Sequence, residues 1–234
     1  MAVMRMGYMH VRVTDLAEAK EHYANTVGLY QTLEQDGKVY YKGWDEWDHH
    51  SVVLEEGGVG MVKCGFKCET PEDVAVLETK ATAFGYPVER MVAGENPEVG
   101  DGIRVTLPSG HLIEFYSHMT SWGLEVGTHN PDAFPRHMVG IGAPRLDHAL
   151  LWVNDPAGIE KFFIDVVGMF PTERVRTSLD DDAHTIVSAT PRVTGDSAAA
   201  PQFVAPVQSA SATLNSYLPT SSGIVNASTL SETS

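Results

Sequence analysis

The sequence predicts an α+β fold built from tandem βαβββ modules, and three observations lead there. A strand, helix, glycine, strand unit recurs along the chain; Gly and Pro punctuate short apolar runs; and charge is concentrated ahead of a Ser/Thr/Ala-rich tail. Two complete modules facing each other are expected to form a half-open eight-stranded barrel. A third, incomplete module and an irregular C-terminal tail follow.

The repeat is visible residue by residue. Asp15 to Tyr30 and Asp155 to Phe170 run in step, each behind a short apolar strand, Met9 to Val13 and Ala149 to Val153. Asp15 and Asp155 suit the helix N-cap, because a carboxylate there accepts a backbone N–H that the helix leaves unpaired. The apolar positions Leu16, Ala19, Tyr23 and Val27, or Ile159, Phe163 and Val167, fall on one helical face. Gly28 and Gly168 are placed to end the helices in a left-handed turn.

The rest of the first module reads as β. Tyr30 to Glu34 and Val39 to Trp44 flank an Asp36-Gly37 turn, and Ser51 to Glu55 precedes a break at Gly57-Gly58. The second module opens with a strand over Met61 to Cys68. A helix follows over Pro71 to Phe84, with Pro in its first turn and Gly85 as its stop. Three strands complete it, Pro87 to Met91, Ile103 to Leu107, and Leu112 to Tyr116 after the Pro108-Ser109-Gly110 turn. The organisation expected is a two-module domain over 1–118, a connecting segment over 119–144, the start of another domain over 145–187, and a tail over 188–234.

The 234 residues are 43% hydrophobic and carry 16 Lys plus Arg against 31 Asp plus Glu, a net charge of -15. Chain-wide disorder is excluded, and nucleic acid and anionic membrane are poor partners for so acidic a surface. Met1 to Arg12 lacks the apolar core of a signal peptide, and no apolar run reaches the roughly 18 residues of a membrane span, so a cytoplasmic location is expected. Cys64 and Cys68 are the only cysteines, and they read as reduced, half-buried strand thiols. From Thr185 to Ser234 only Arg192, Asp196 and Glu232 are charged, without helical or strand periodicity, so the tail reads as disordered or as a shifted reading frame.

Ten histidines are present. His22, His49, His50, His118, His129 and His137 suit surface or packing roles. His10 and His148 differ, because they occupy the same place in two copies of the repeat and would point into a barrel. A barrel interior can gather two His and one carboxylate around a metal. In the first two modules the converging positions are His10, Lys63 and Glu114, and a lysine ammonium has no lone pair to donate. This half is therefore expected to hold no metal, with His10 and Glu114 forming an interior hydrogen-bonded pair.

Trp122-Gly123-Leu124, Asn130-Pro131-Asp132-Ala133-Phe134-Pro135-Arg136 and Arg145-Leu146-Asp147-His148-Ala149-Leu150 closely resemble the inter-domain segment of bacterial catechol 2,3-dioxygenases. Those are type I extradiol dioxygenases of the vicinal-oxygen-chelate superfamily. The resemblance runs from Met6 to about Val175 and includes Pro108-Ser109-Gly110-His111 and Glu114-Phe115-Tyr116.

The resemblance implies four modules, two per domain, with Fe(II) in the C-terminal domain only. It implies catechol or a substituted catechol and O2 as substrates, ring opening beside the two hydroxyls to a 2-hydroxymuconic semialdehyde, and homo-oligomers for complete members. The family's first iron-binding histidine maps to His148. Its second histidine and its glutamate have no counterpart here, since no histidine follows His184 and the only later carboxylates are Asp196 and Glu232. His184 reads as a hairpin residue or as the family's second-sphere histidine, the hairpin being preferred. No catalytic acid or base is assigned. The expectation is a dioxygenase by descent that is inactive as it stands; the alternatives are a metal-free module binding small aromatics, or a non-functional product cut or frame-shifted in its third module.

Overall fold

The computed structural model describes residues 3–176 together with strand segments at 185–190, 203–205, 219–220 and 223–224. The first module comprises β1 (Val3–Val13), α1 (Leu16–Glu21) widening into a π-helical turn (His22–Val27), β2 (Tyr30–Gln35), β3 (Lys38–Lys42) and β4 (Val52–Glu56). The second comprises β5 (Gly60–Cys68), α2 (Pro71–Phe84), β6 (Val88–Met91), β7 (Gly102–Thr106) and β8 (Leu112–Tyr116). The third starts with α3 (Pro156–Lys161), widening in the same way over Phe162–Val167, and continues into β9 (Phe170–Arg176).

Each helix starts and stops as the local chemistry dictates. Asp15, Thr70 and Asp155 cap the three N-termini, accepting from the backbone N–H of Glu18, Asp73 and Gly158. Gly28, Gly85 and Gly168 end them at φ of 80°, 97° and 84°. Asp36 and Gly37, with φ of 52° and 73°, form the two-residue turn between β2 and β3.

All eight strands of the first two modules lie in one sheet, ordered β2-β3-β4-β1-β5-β8-β7-β6. β1 and β5 pair antiparallel at its centre and join the modules. On either side β1 pairs β4 in parallel and β5 pairs β8 in parallel, so the two halves are related by a pseudo-twofold axis. The outer strands β2 and β6 do not pair, which leaves the barrel half open, as expected.

The convex side is apolar. α1 covers Val11, Val13, Val39, Tyr41, Val52 and Leu54. α2 covers Phe66, Ile103, Val105, Ile113 and Phe115. Cys64 and Cys68 lie in this second cluster with no exposure, fully buried rather than half-buried; burial raises both thiols, Cys68 to about 12, which keeps them protonated and inert.

The connecting segment is strapped to the first module rather than free. Ile141 and Ala143 N–H groups donate to Thr26 and Val27 carbonyls at 2.9 and 3.1 Å, Asp45 N–H donates to Pro144 O at 2.9 Å, and Trp44 Nε1 to Gly142 O at 3.0 Å. The approach is close enough to require glycine. A Cβ on Gly28 would lie 2.1 Å from Val139 O, and one on Gly43 would lie 2.2 Å from Pro144 O.

The third module departs from expectation at its first strand. Residues 149–153 do not form one. The alternation read from the sequence survives as burial, with Ala149, Leu151 and Val153 inward, but the segment carries only a single β-bridge, at Leu150, and the side chains join the cluster that contains α2. α3 and its π-helical turn add Ile159, Phe162, Phe163, Val166 and Val167 to the same cluster, where Phe163 meets Phe66 with ring centroids 6.1 Å apart. Residues 149–169 are thus bound into the core of the second module. Beyond them β9 pairs with β10 (Thr185–Thr190), and β10 with β11 (Phe203–Ala205). Within the tail expected to be irregular over 188–234, the end of β10, β11 and the paired segments 219–220 and 223–224 are strands, while His184 and the other tail residues lie outside the described residues. No described helix is long and apolar enough to cross a membrane.

Candidate functional site

The concave face of the sheet carries the polar residues. β1 and β5 place His10 opposite Lys63 as cross-strand partners, and β5 and β8 place Gly65 opposite Glu114. Side chains alternate along each strand, so Tyr8 and His10 share this face.

Glu114, with no exposure, is the centre of the arrangement. Its Oε1 lies 3.2 Å from Lys63 Nζ and accepts from Arg104 Nε at 2.7 Å. Its Oε2 accepts from Asn96 Nδ2 at 2.9 Å and from the Tyr8 hydroxyl. Lys63 also donates to Asn96 Oδ1. A buried carboxylate is tolerated only when paired and hydrogen-bonded, and Glu114 has both. Burial pulls the Lys63 ammonium below its ordinary range, against the opposing pull of Glu114.

The expected His10–Glu114 pair is not formed. His10 Nε2 faces Glu55 Oε2 at 3.2 Å instead, outside hydrogen-bonding geometry. Burial, the larger influence, holds His10 down to about 4 even with Glu55 beside it, so the imidazole is neutral near pH 7. A neutral imidazole could not balance Glu114, whereas Lys63 and Arg104 do. Sequence reasoning missed Arg104, Tyr8 and Asn96. Arg104 was within reach, because it is the cross-strand partner of Glu114.

His49 and His50 form a buried pair with Nδ1 atoms 3.1 Å apart. The His50 ring packs against Tyr8 and Tyr40, at centroid distances of 5.4 and 5.0 Å, and burial lowers it to about 3. His118, His129 and His137 are exposed, in line with the surface roles expected of them.

His148 lies elsewhere, at the entry to the third module. Its side chain is 53% exposed and its Nδ1 is 2.9 Å from Asp147 Oδ2. With a proton on Nδ1 shared with that carboxylate, Nε2 keeps its lone pair, the atom through which such a histidine can bind metal. Among the described residues, no three His, Cys, Asp or Glu side chains gather around a point. The described donors therefore do not make up an iron centre: His148 has only Asp147 beside it, and in the sheet of the first two modules an ammonium stands beside the carboxylate.

Comparisons with known proteins agree on descent. Residues 63–120 match the family described as the catechol 2,3-dioxygenase-like N-terminal domain. Over 185 residues the chain is 36% identical to metapyrocatechase of Pseudomonas sp. strain CF600, covering 77% of this chain and 59% of that protein. The structure of the 2,3-dioxygenase LapB from Pseudomonas sp. KL28 superimposes with a TM-score of 0.73 at 35% identity, covering 81% of this chain and 66% of that one. The chain belongs to the extradiol dioxygenase family.

A manganese-dependent 2,3-dihydroxybiphenyl 1,2-dioxygenase of Geobacillus genomosp. 3 is a further relative, 25% identical over 82% of this chain and 62% of its own length. Against the extradiol dioxygenase of B. fuscum the TM-score is 0.68 at 26% identity, over 88% of this chain and 54% of that one. The chain spans about three-fifths of the length of the curated relatives it matches first. The part of the eight-stranded sheet that this N-terminal-domain family matches, residues 63–120, is the second module from within β5 to just beyond β8.

Proposed function

We propose that this chain contributes the N-terminal barrel, the connecting strap and one metal ligand, His148, to an extradiol ring-cleaving dioxygenase acting on a catechol and O2, and that these 234 residues alone do not turn over. The observation that carries the reading is 36% identity over 185 residues, in a segment that ends its match beyond His148. In such an enzyme Fe(II) supplies the site at which catechol and O2 meet. This chain's own part is to orient the His148 imidazole through its Nδ1 contact with Asp147 and to anchor the third module on the second. A single imidazole holds a hydrated divalent ion too weakly to retain it.

Two measurements test the reading. Purified anaerobically and given Fe(II) and catechol, the chain is expected to form yellow semialdehyde no faster than free iron; turnover well above that rate overturns the one-ligand account. Joining residues 1–170 to the remaining C-terminal part of the Pseudomonas metapyrocatechase is expected to give an iron-loaded enzyme whose activity and bound iron both fall on His148→Ala. A chimera that folds, binds iron and cleaves catechol equally well without His148 contradicts the assignment.

A further inference from the structure

The half-barrel encloses a cavity of about 280 Å3, reached between the β2–β3 turn at Gln35 and Asp36 and the β6–β7 loop at Gly94 to Pro97. It belongs to modules one and two and involves no residue near His148. Ligand pockets for drug-sized molecules start at about 300 Å3, so this one suits a compound of a single ring.

Three properties of the lining narrow the ligand. The rings of Tyr8, Tyr40 and His50 line the cavity as one cluster, with His50 5.4 Å from Tyr8 and 5.0 Å from Tyr40. Its charges are already balanced. Lys63 lies 3.2 Å from Glu114 and Lys38 lies 3.8 Å from Glu55, and Asp36 and Glu95 also face the cavity. His10 and His50 add no positive charge near pH 7, since burial keeps both neutral. An anion therefore gains no net attraction on entering. Lys63 donates to Asn96 Oδ1 and Glu114 Oε1, which accounts for two of its three N–H protons and leaves one for an acceptor.

We propose that this cavity is a binding site for a neutral one-ring hydroxyaromatic, a phenol, whose oxygen accepts the remaining Lys63 N–H while its ring lies against Tyr40 and His50. The rim carboxylates of Asp36 and Glu95 offer acceptors for the ligand's hydroxyl proton. The ring edge and the polar lining select jointly: a saturated alcohol of the same size loses the ring contacts, and a carboxylate meets the surrounding acidic groups.

The test is an NMR titration of the whole chain with phenol, cyclohexanol and benzoate, following the imidazole signals of His10 and His50. Phenol is expected to give saturable shifts at both histidines, with cyclohexanol and benzoate weaker. Lys63→Met should weaken phenol about 10-fold, the loss of one charge-assisted hydrogen bond. Should that variant unfold, Val53→Phe fills the cavity while leaving Lys63 in place, and should abolish the shifts. Shifts that never saturate, benzoate or cyclohexanol binding as tightly as phenol, or undiminished phenol affinity in a folded Val53→Phe protein would each overturn the site.

Discussion

Glu46 Oε1 accepts the backbone N–H of Leu146 at 2.9 Å, across 100 residues of chain. Its other oxygen accepts from Gly43 N–H at 2.5 Å and Ser51 Oγ at 2.6 Å, and the residue is 8% exposed. One carboxylate therefore ties the end of the connecting strap to both ends of the β3–β4 loop. Glu46→Ala should cost about 2–4 kcal/mol, because two buried donors and a partly buried one lose their acceptor together. The fall in the urea midpoint should be accompanied by faster proteolysis at 139–147; a stable variant with an unchanged cleavage pattern would show the tie to be idle.

Gly43→Ala makes the same point by sterics. A Cβ there would meet Pro144 O at 2.2 Å, so either the strap lifts or the backbone shifts, at an expected cost of about 1–3 kcal/mol. Gly28→Ala should cost more, since it adds strain at φ +80° to the clash with Val139 O. Thermal melts of the two variants, measured side by side, check the order.

Acid should destabilise the protein through its buried imidazoles. His10 and His50 are held to about 4 and about 3, below the unfolded value near 6.5, so the unfolded chain binds more protons between those limits. Their contribution is complete above about pH 6.5 and is lost as pH falls toward 4, at up to about 1.4 kcal/mol per pH unit for each histidine. Replacing His50 with Phe should flatten the stability curve between pH 6.5 and 4 relative to the parent. An identical slope in the two proteins would count against burial as the cause.

Packing of the third module on the second predicts the protease-resistant core. Phe162 and Phe163 have no exposure, and Phe163→Ala should cost about 3–5 kcal/mol. Limited proteolysis should leave a fragment reaching at least Met169, not one ending near 118. Cleavage at 145–155 ahead of all other sites would refute the docking.

Local features were legible in the sequence because their causes are local. The caps at Asp15 and Asp155, the Pro71 helix start, the Asp36-Gly37 turn and the stops at Gly28, Gly85 and Gly168 each depend on neighbours within a few residues. The inward placement of His10, Lys63 and Glu114 followed from strand alternation and the repeat. Partner choice did not follow, because it depends on register between strands distant in sequence. His10 meets Glu55 only because β4 lies parallel to β1 with Arg12 beside Glu55, and Asn96 reaches Glu114 from a loop. Residues 149–153 show the remaining limit: alternation predicts which side chains are buried, but a strand also needs a neighbour paired along its length, and here only Leu150 makes a bridge.

Lys63 gives the first barrel a counter-ion that is part of the chain. A dissociable cation beside Glu114 would come and go by mass action, tying the state of the barrel to the metal concentration around it. A covalently attached ammonium is always at saturation, and neither a chelator nor dilution can remove it. The charge partner of Glu114 is therefore set at translation, and the pairing at the centre of this sheet is complete as soon as β5 and β8 meet.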